Sequence, residues 1–97
     1  MPSENLITDL EYLDLICADQ RLNVWHISLI LAIIRLAYQQ NQGNLINVSR
    51  SKLMEMSHIR TAPTYHKYFK ELQNYGLIKY SPSYHPGYQS TVEILIK

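Results

Sequence analysis

Apolar positions recur along most of the chain with a helical period and switch to a strand period near the C-terminus. Leu6, Leu10, Leu13 and Ile16/Cys17 fall on one helical face with acids between them, and Ser3 or Asn5 can cap that segment. The pattern breaks at Asp19-Gln20-Arg21. Asn23 then caps a second helix, predicted from Val24 to about Gln40. Its apolar residues cover nearly the whole circumference, with Ile27, Leu31, Ile34 and Tyr38 on one face and Leu29, Ile30, Ile33 and Leu36 on the others. A helix of this kind is buried on more than one side. A homodimer through residues 5–40 would supply such a cover, and so would the rest of the same chain.

Asn41-Gln42-Gly43-Asn44 is turn chemistry, and Leu45-Ile46-Asn47-Val48 suits a brief strand. Ser49 caps a short helix predicted over Arg50 to Ser57, with Leu53, Met54 and Met56 pointing inward. His58-Ile59-Arg60-Thr61 interrupts it, and Pro63 stands where a first helical turn tolerates proline. The following helix runs to about Tyr75 and stops at Gly76, with Tyr65, Tyr68/Phe69, Leu72 and Tyr75 on its apolar face. Leu77–Tyr80 and Thr91–Ile96 then read as strands, separated by a polar stretch in which Pro86-Gly87 suits a type II turn. The expected architecture is mostly α with a small β-hairpin, an N-terminal helix (1–22) preceding one domain (23–97).

Composition agrees with one globular core: 97 residues, 46% apolar and 18% charged. The net charge of +1 conceals an asymmetry. Residues 1–48 set Arg21 and Arg35 against five acids, a balance of −3. Residues 49–97 set seven cations against three acids, a balance of +4. A basic half of this kind suits a polyanion-binding surface. Cys17 is the only cysteine and lies in an apolar helical pattern, so it is expected as a small buried hydrophobe in a cytoplasmic protein. Glu4 and Asp9 without a basic stretch argue against a secretory signal, and the apolar run Ile27–Ile34 is far too short to span a bilayer. No membrane contact is expected.

The order of long helix, short strand, short helix, four-residue turn, longer helix and hairpin is that of a helix-turn-helix followed by a wing. Over residues 23–97 the chain resembles the winged helix-turn-helix DNA-binding superfamily. The likeness is carried by SRSKLMEMSHIR, TYHKYFKELQNYGLIKY and PSYHPGYQSTVEI. Its tail, KYSPSYHPG, also resembles small Bacteroidetes winged-helix regulators, many of them near mobile elements. The resemblance implies a three-helix core, a two-to-three-stranded wing and an extra N-terminal helix. It also implies a transcriptional regulator or an accessory factor for replication or excision of a mobile element.

Candidate contacts with double-stranded DNA follow from the residues. With Tyr65, Tyr68, Phe69 and Leu72 turned inward, Thr64, His66, Lys67 and Lys70 are expected outward on the helix spanning 62–75. Thr64, His66 and Lys67 are assigned to base edges in the major groove, and Lys70 to a base or a phosphate. Ser49, Arg50 and Ser51 open the preceding helix, where free N–H groups favour phosphate. Arg60 and Thr61, in the turn, join the same basic face. The wing tip offers Tyr84, His85, Gln89 and Ser90 as donors to the backbone but no Arg or Lys for the minor groove.

Other chemistries find little support. His26, His58, His66 and His85 lack metal-ligand spacing, so no metal or other cofactor is expected; His26 is assigned to packing or bonding within its helix and His58 to the turn. Asp9, Asp14 and Asp19 are spaced five apart and spread around a helix. With no nucleophile elbow or glycine-rich phosphate loop, no enzymatic activity is expected. Six of the eight tyrosines lie between residues 65 and 88; core packing explains Tyr65, Tyr68 and Tyr75 on their helical face, and Tyr84 and Tyr88 stay open as base-stacking candidates. A winged-helix protein–protein interaction module without DNA binding is the remaining alternative. Such a module has no need of Arg50, Arg60, Lys67 and Lys70 on one face.

Overall fold

A computed structural model describes residues 11–41, 45–85 and 89–95 and gives them four helices and a three-stranded antiparallel sheet. In chain order these are α1 (residues 11–18), α2 (Val24–Gln40), β1 (Leu45–Val48), α3 (Arg50–Ser57), α4 (Ala62–Asn74), β2 (Ile78–Ser81) and β3 (Ser90–Ile94). Leu6, Leu10, the Pro86-Gly87 turn, Tyr88 and Ile96 lie outside the described residues.

Helix boundaries follow local chemistry. The Asn23 side chain accepts from the N–H groups of Trp25 and His26, while the His26 ring accepts from the Asn23 N–H, a reciprocal cap. Ser49 Oγ accepts from Lys52 N–H to open α3. α3 closes on His58 at φ 64°, a left-handed position held by a non-glycine residue, with Ile59 N–H bonded back to Met54 C=O. After α4 the chain turns through Gly76 at φ 76°, a conformation glycine adopts without steric cost.

α2 is the hub, packed against α3, β1 and α4. Residues step about 100° around a helix, and the arc carrying His26, Leu29, Ile30, Ala32, Ile33, Ile34 and Leu36 is buried within the chain. Val24, Leu31 and Tyr38, seven residues apart, form an exposed line along the other side, with Ile27 and Ser28 half-buried beside it. Thus Leu31 and Tyr38 are not buried with Ile27 and Ile34 as one covered face. The Ser28 hydroxyl donates to Ser57 C=O and ties α2 to the end of α3.

The sheet order is β1-β3-β2, so the hairpin strands β2 and β3 take β1 as a third member. Ile46 stands opposite Val92, and Tyr80 pairs with Val92 from the other side. Ile46, Val48, Ile78 and Val92 are buried against α2 and α4 residues, including Ile33, Phe69 and Leu72. The outer edge of β1 is closed by Gln40, whose side-chain amide donates to Asn47 C=O at 2.7 Å and accepts from Asn47 N–H at 2.8 Å.

α1 sends Tyr12 and Ile16 into the core, and the Tyr12 hydroxyl donates to Leu77 C=O at 3.3 Å. Burial pushes the Tyr12 phenol up to about 12. Cys17 departs from expectation: it is exposed, because Tyr12 and Ile16, four apart, define the inward line and the next residue steps away from it. In α3, Leu53 and Ser57 occupy the inward line by the same rule. Met54 and Met56, expected inward, are half-buried on its flanks.

Candidate nucleic-acid interface

The pairing of β1 with β3 is what assembles the site. Val48 stands opposite Ser90, so Ser49 and Arg50 follow directly beside the residues that open β3. Gln39, Ser49, Arg50, Lys52, Gln89 and Ser90 all line one open groove between α2, β1, α3 and β3. A second groove runs over α3 and the turn, lined by Arg50, Ser51, Met54, His58 and Arg60, with Glu55 as its acid. Arg50 belongs to both, and thereby connects the start of β3 to the turn before α4.

α4 presents His66, Lys67 and Lys70 to solvent, together with Pro63 and Asn74, while Tyr65, Phe69 and Leu72 are buried behind them. The Tyr65 ring stacks on Phe69 and meets His66 edge-on. Burial raises the Tyr65 phenol to about 12, Tyr80 adds to the rise, and Arg50 opposes it. Lys67 Nζ stands 5.2 Å from the centre of the Tyr68 ring, a cation–π contact.

Thr64 departs from its expected place. It is half-buried on the flank of α4, and its hydroxyl accepts from Thr61 Oγ1 at 2.8 Å. The two threonines thus bond to each other at the entrance to α4, Thr61 exposed and Thr64 half-buried. The structure also draws Ser49 and Ser90 into internal bonds, Ser49 Oγ to Lys52 N–H and Ser90 Oγ to Ser83 N–H at 3.0 Å. Tyr84 is 88% exposed. His85 and Gln89 are exposed beside it, flanking the tip.

Among the described residues, Arg50, Lys52, Arg60, Lys67 and Lys70 form no ion pair. The acid nearest to them on α4, Glu71, is drawn away by His26 at 2.7 Å. On the other side of the molecule, Arg21 is bound to Asp19 at 2.6 Å and lies 4.6 Å over the Tyr75 ring. The hydrogen bonds from Arg21 hold the Asp19 carboxyl down at about 2. α1 and the loop after it therefore dock on Leu77 and Tyr75, at the far end of α4 from Arg50 and Thr61.

Sequence reasoning missed Lys52 and Gln39 as groove residues, and the His26–Glu71 pair. Lys52 was legible as a basic residue one helical turn into α3. Gln39 and the His26–Glu71 contact carry no local signal. No helix among the described residues is long and apolar enough to cross a membrane. Comparison with known proteins brought no match to a family model, to a curated protein or to a solved structure.

Proposed function

We propose that this chain is a winged helix-turn-helix protein that binds double-stranded DNA sequence-specifically and acts as a transcriptional regulator. In this reading α4 enters the major groove with His66 and Lys67 toward the bases and Lys70 toward a flanking phosphate. Arg50, Lys52, Ser51 and Arg60 hold one strand's phosphates, and Gln89, Tyr84 and His85 reach the backbone from the wing. The observation that carries it is the set of five cations on α3, the turn and α4 that form no ion pair among the described residues, while the α4 carboxylate, Glu71, is bound to His26. Unpaired cations on one side of a small domain favour a polyanionic partner, since each is free to replace a condensed counterion. The element order and the β1-β3-β2 sheet support the winged-helix reading of the fold.

The test is selection on random duplex DNA followed by gel-shift titration. The parent protein is expected to enrich one short motif, and Lys67→Ala to lower its affinity by about 1–3 kcal/mol while relaxing preference at one base position. A selection without enrichment, or an unchanged Lys67→Ala, refutes the reading.

The exposed line of Val24, Leu31 and Tyr38 favours a protein contact as well, and we assign it to a second copy of the chain. Light scattering at tens of micromolar is expected to give twice the 11.4 kDa chain mass, and Leu31→Glu to halve it. A monomeric parent refutes the dimer and leaves the duplex reading standing. An interaction module without DNA binding would use the same line, but it leaves the five unpaired cations without a role.

A further inference from the structure

The most buried ionisable side chain among the described residues is not on the basic face at all. His26, 2% exposed, sits between the start of α2 and the middle of α4. Its tautomer follows from its partners. Nδ1 lies 2.9 Å from the Asn23 N–H, and a backbone N–H meets only a lone pair, so the ring proton is on Nε2. That Nε2–H donates to Glu71 Oε1 at 2.7 Å. The ring therefore cannot rotate without losing the cap of α2 or the bond to α4. Its edge also packs against Tyr68 at 4.9 Å, near perpendicular, and against Tyr75 at 5.7 Å.

Tyr68 is the ring over which the Lys67 ammonium stands. A continuous chain of contacts thus leads from the α2 cap through His26 and Tyr68 to Lys67. A lysine carries four rotatable bonds and holds no fixed direction by itself. Here the ammonium stands over a ring that packs near perpendicular to His26.

We propose that His26, locked by Asn23 and Glu71, is the positioning residue for Lys67: through Tyr68 it fixes where the ammonium stands on the outer face of α4. The proposal rests on the duplex-binding reading for its consequence, base discrimination, but its geometry can be tested without DNA. Replacing His26 threatens the fold, because the Asn23 N–H would lose its acceptor. Glu71 is half-exposed and gives a milder handle. Glu71→Ala removes the acceptor for Nε2–H, and Glu71→Gln keeps one.

The electrostatic and positioning accounts predict opposite results. Taking a carboxylate away from a polyanion-binding face strengthens binding to every duplex, for Ala and Gln alike. Positioning predicts that Glu71→Ala loses about fivefold or more in discrimination at the base Lys67 reads, the lower range of a single base contact. It predicts that Glu71→Gln restores discrimination, and that Glu71→Ala has no further effect on it in a Lys67→Ala background. In the free protein, the Lys67 side-chain protons are expected to show a ring-current shift in NMR spectra that Glu71→Ala abolishes and Glu71→Gln retains.

Tighter binding with unchanged discrimination in both Glu71 variants overturns the proposal, as do additive effects of Glu71→Ala and Lys67→Ala. A Lys67 ring-current shift that survives Glu71→Ala overturns it irrespective of DNA. A parent protein that enriches no duplex refutes the functional reading instead, and the NMR comparison still decides the geometry.

Discussion

Salt is the perturbation that most directly interrogates the unpaired cations. Arg50, Lys52, Arg60 and Lys70 are assigned to phosphates and Lys67 to a base edge. Each phosphate neutralised contributes about −0.9 to the slope of log affinity against log salt, so four of them give about −3.6 per protomer. Between about 50 and 200 mM salt the affinity of one protomer then falls about 150-fold. Arg50→Ala leaves three phosphate contacts and a slope near −2.7, with a loss of only about 40-fold over the same range. A dimer engaging two half-sites doubles both slopes. The change between parent and variant is the informative quantity, because it counts one residue per protomer, about 0.9 for one protomer and about 1.8 for a dimer. Fluorescence anisotropy of a labelled duplex at several salt concentrations measures it. A parent slope shallower than about −2, or an Arg50→Ala slope equal to the parent's, refutes the assignment of these side chains to a phosphate track.

Two further expectations concern stability. His58 holds a left-handed conformation at the end of α3, so His58→Gly is expected to stabilise by up to about 1 kcal/mol and raise Tm by several degrees; an unchanged or lower Tm in a thermal melt contradicts the backbone argument. Tyr12 and Tyr65 have folded-state pKa values raised from 10.0 to about 12 by burial. Their contribution to stability is complete below pH 10 and is lost as pH rises toward 12, because the unfolded chain releases those protons first. Unfolding should therefore begin in that window, with two tyrosines ionising together with the loss of circular dichroism. Ionisation of every tyrosine at lower pH, with the fold intact, contradicts this.

Much of the candidate site was legible because its signals are local. Ser49 before Arg50, Pro63 at the start of α4 and Gly76 after it punctuate the chain within a few residues of where they act. The observed helix Arg50–Ser57 and strand Leu45–Val48 coincide with the predicted ones for that reason. The hairpin strands differ from expectation only at their ends, Ile78–Ser81 and Ser90–Ile94. Tyr65, Phe69 and Leu72 followed from the spacing of α4, and with them the outward direction of His66, Lys67 and Lys70, whereas Tyr68 and Tyr75, expected on the same inward face, are only half-buried.

Orientation on a flank was not legible in this way. No apolar pattern claims Thr64, which places it with the outward residues by sequence, yet its hydroxyl bonds to Thr61. Cys17 follows Ile16 in an apolar helical pattern, and one residue of rotation carries it to solvent.

The sequence by itself determined the elements, their caps, the inward line of α4 and the concentration of positive charge after residue 48, because all of these depend on residues a few positions apart. Only the tertiary structure decided which arc of α2 remains exposed, that β1 pairs with β3, and that Ser49 and Arg50 stand beside Gln89 and Ser90. It alone joined His26 to Glu71 across 45 residues. Those outcomes depend on which surfaces meet when the core closes, and burial of apolar area is non-directional. The periodicity of a helix says that a face is buried and leaves open what it is buried against.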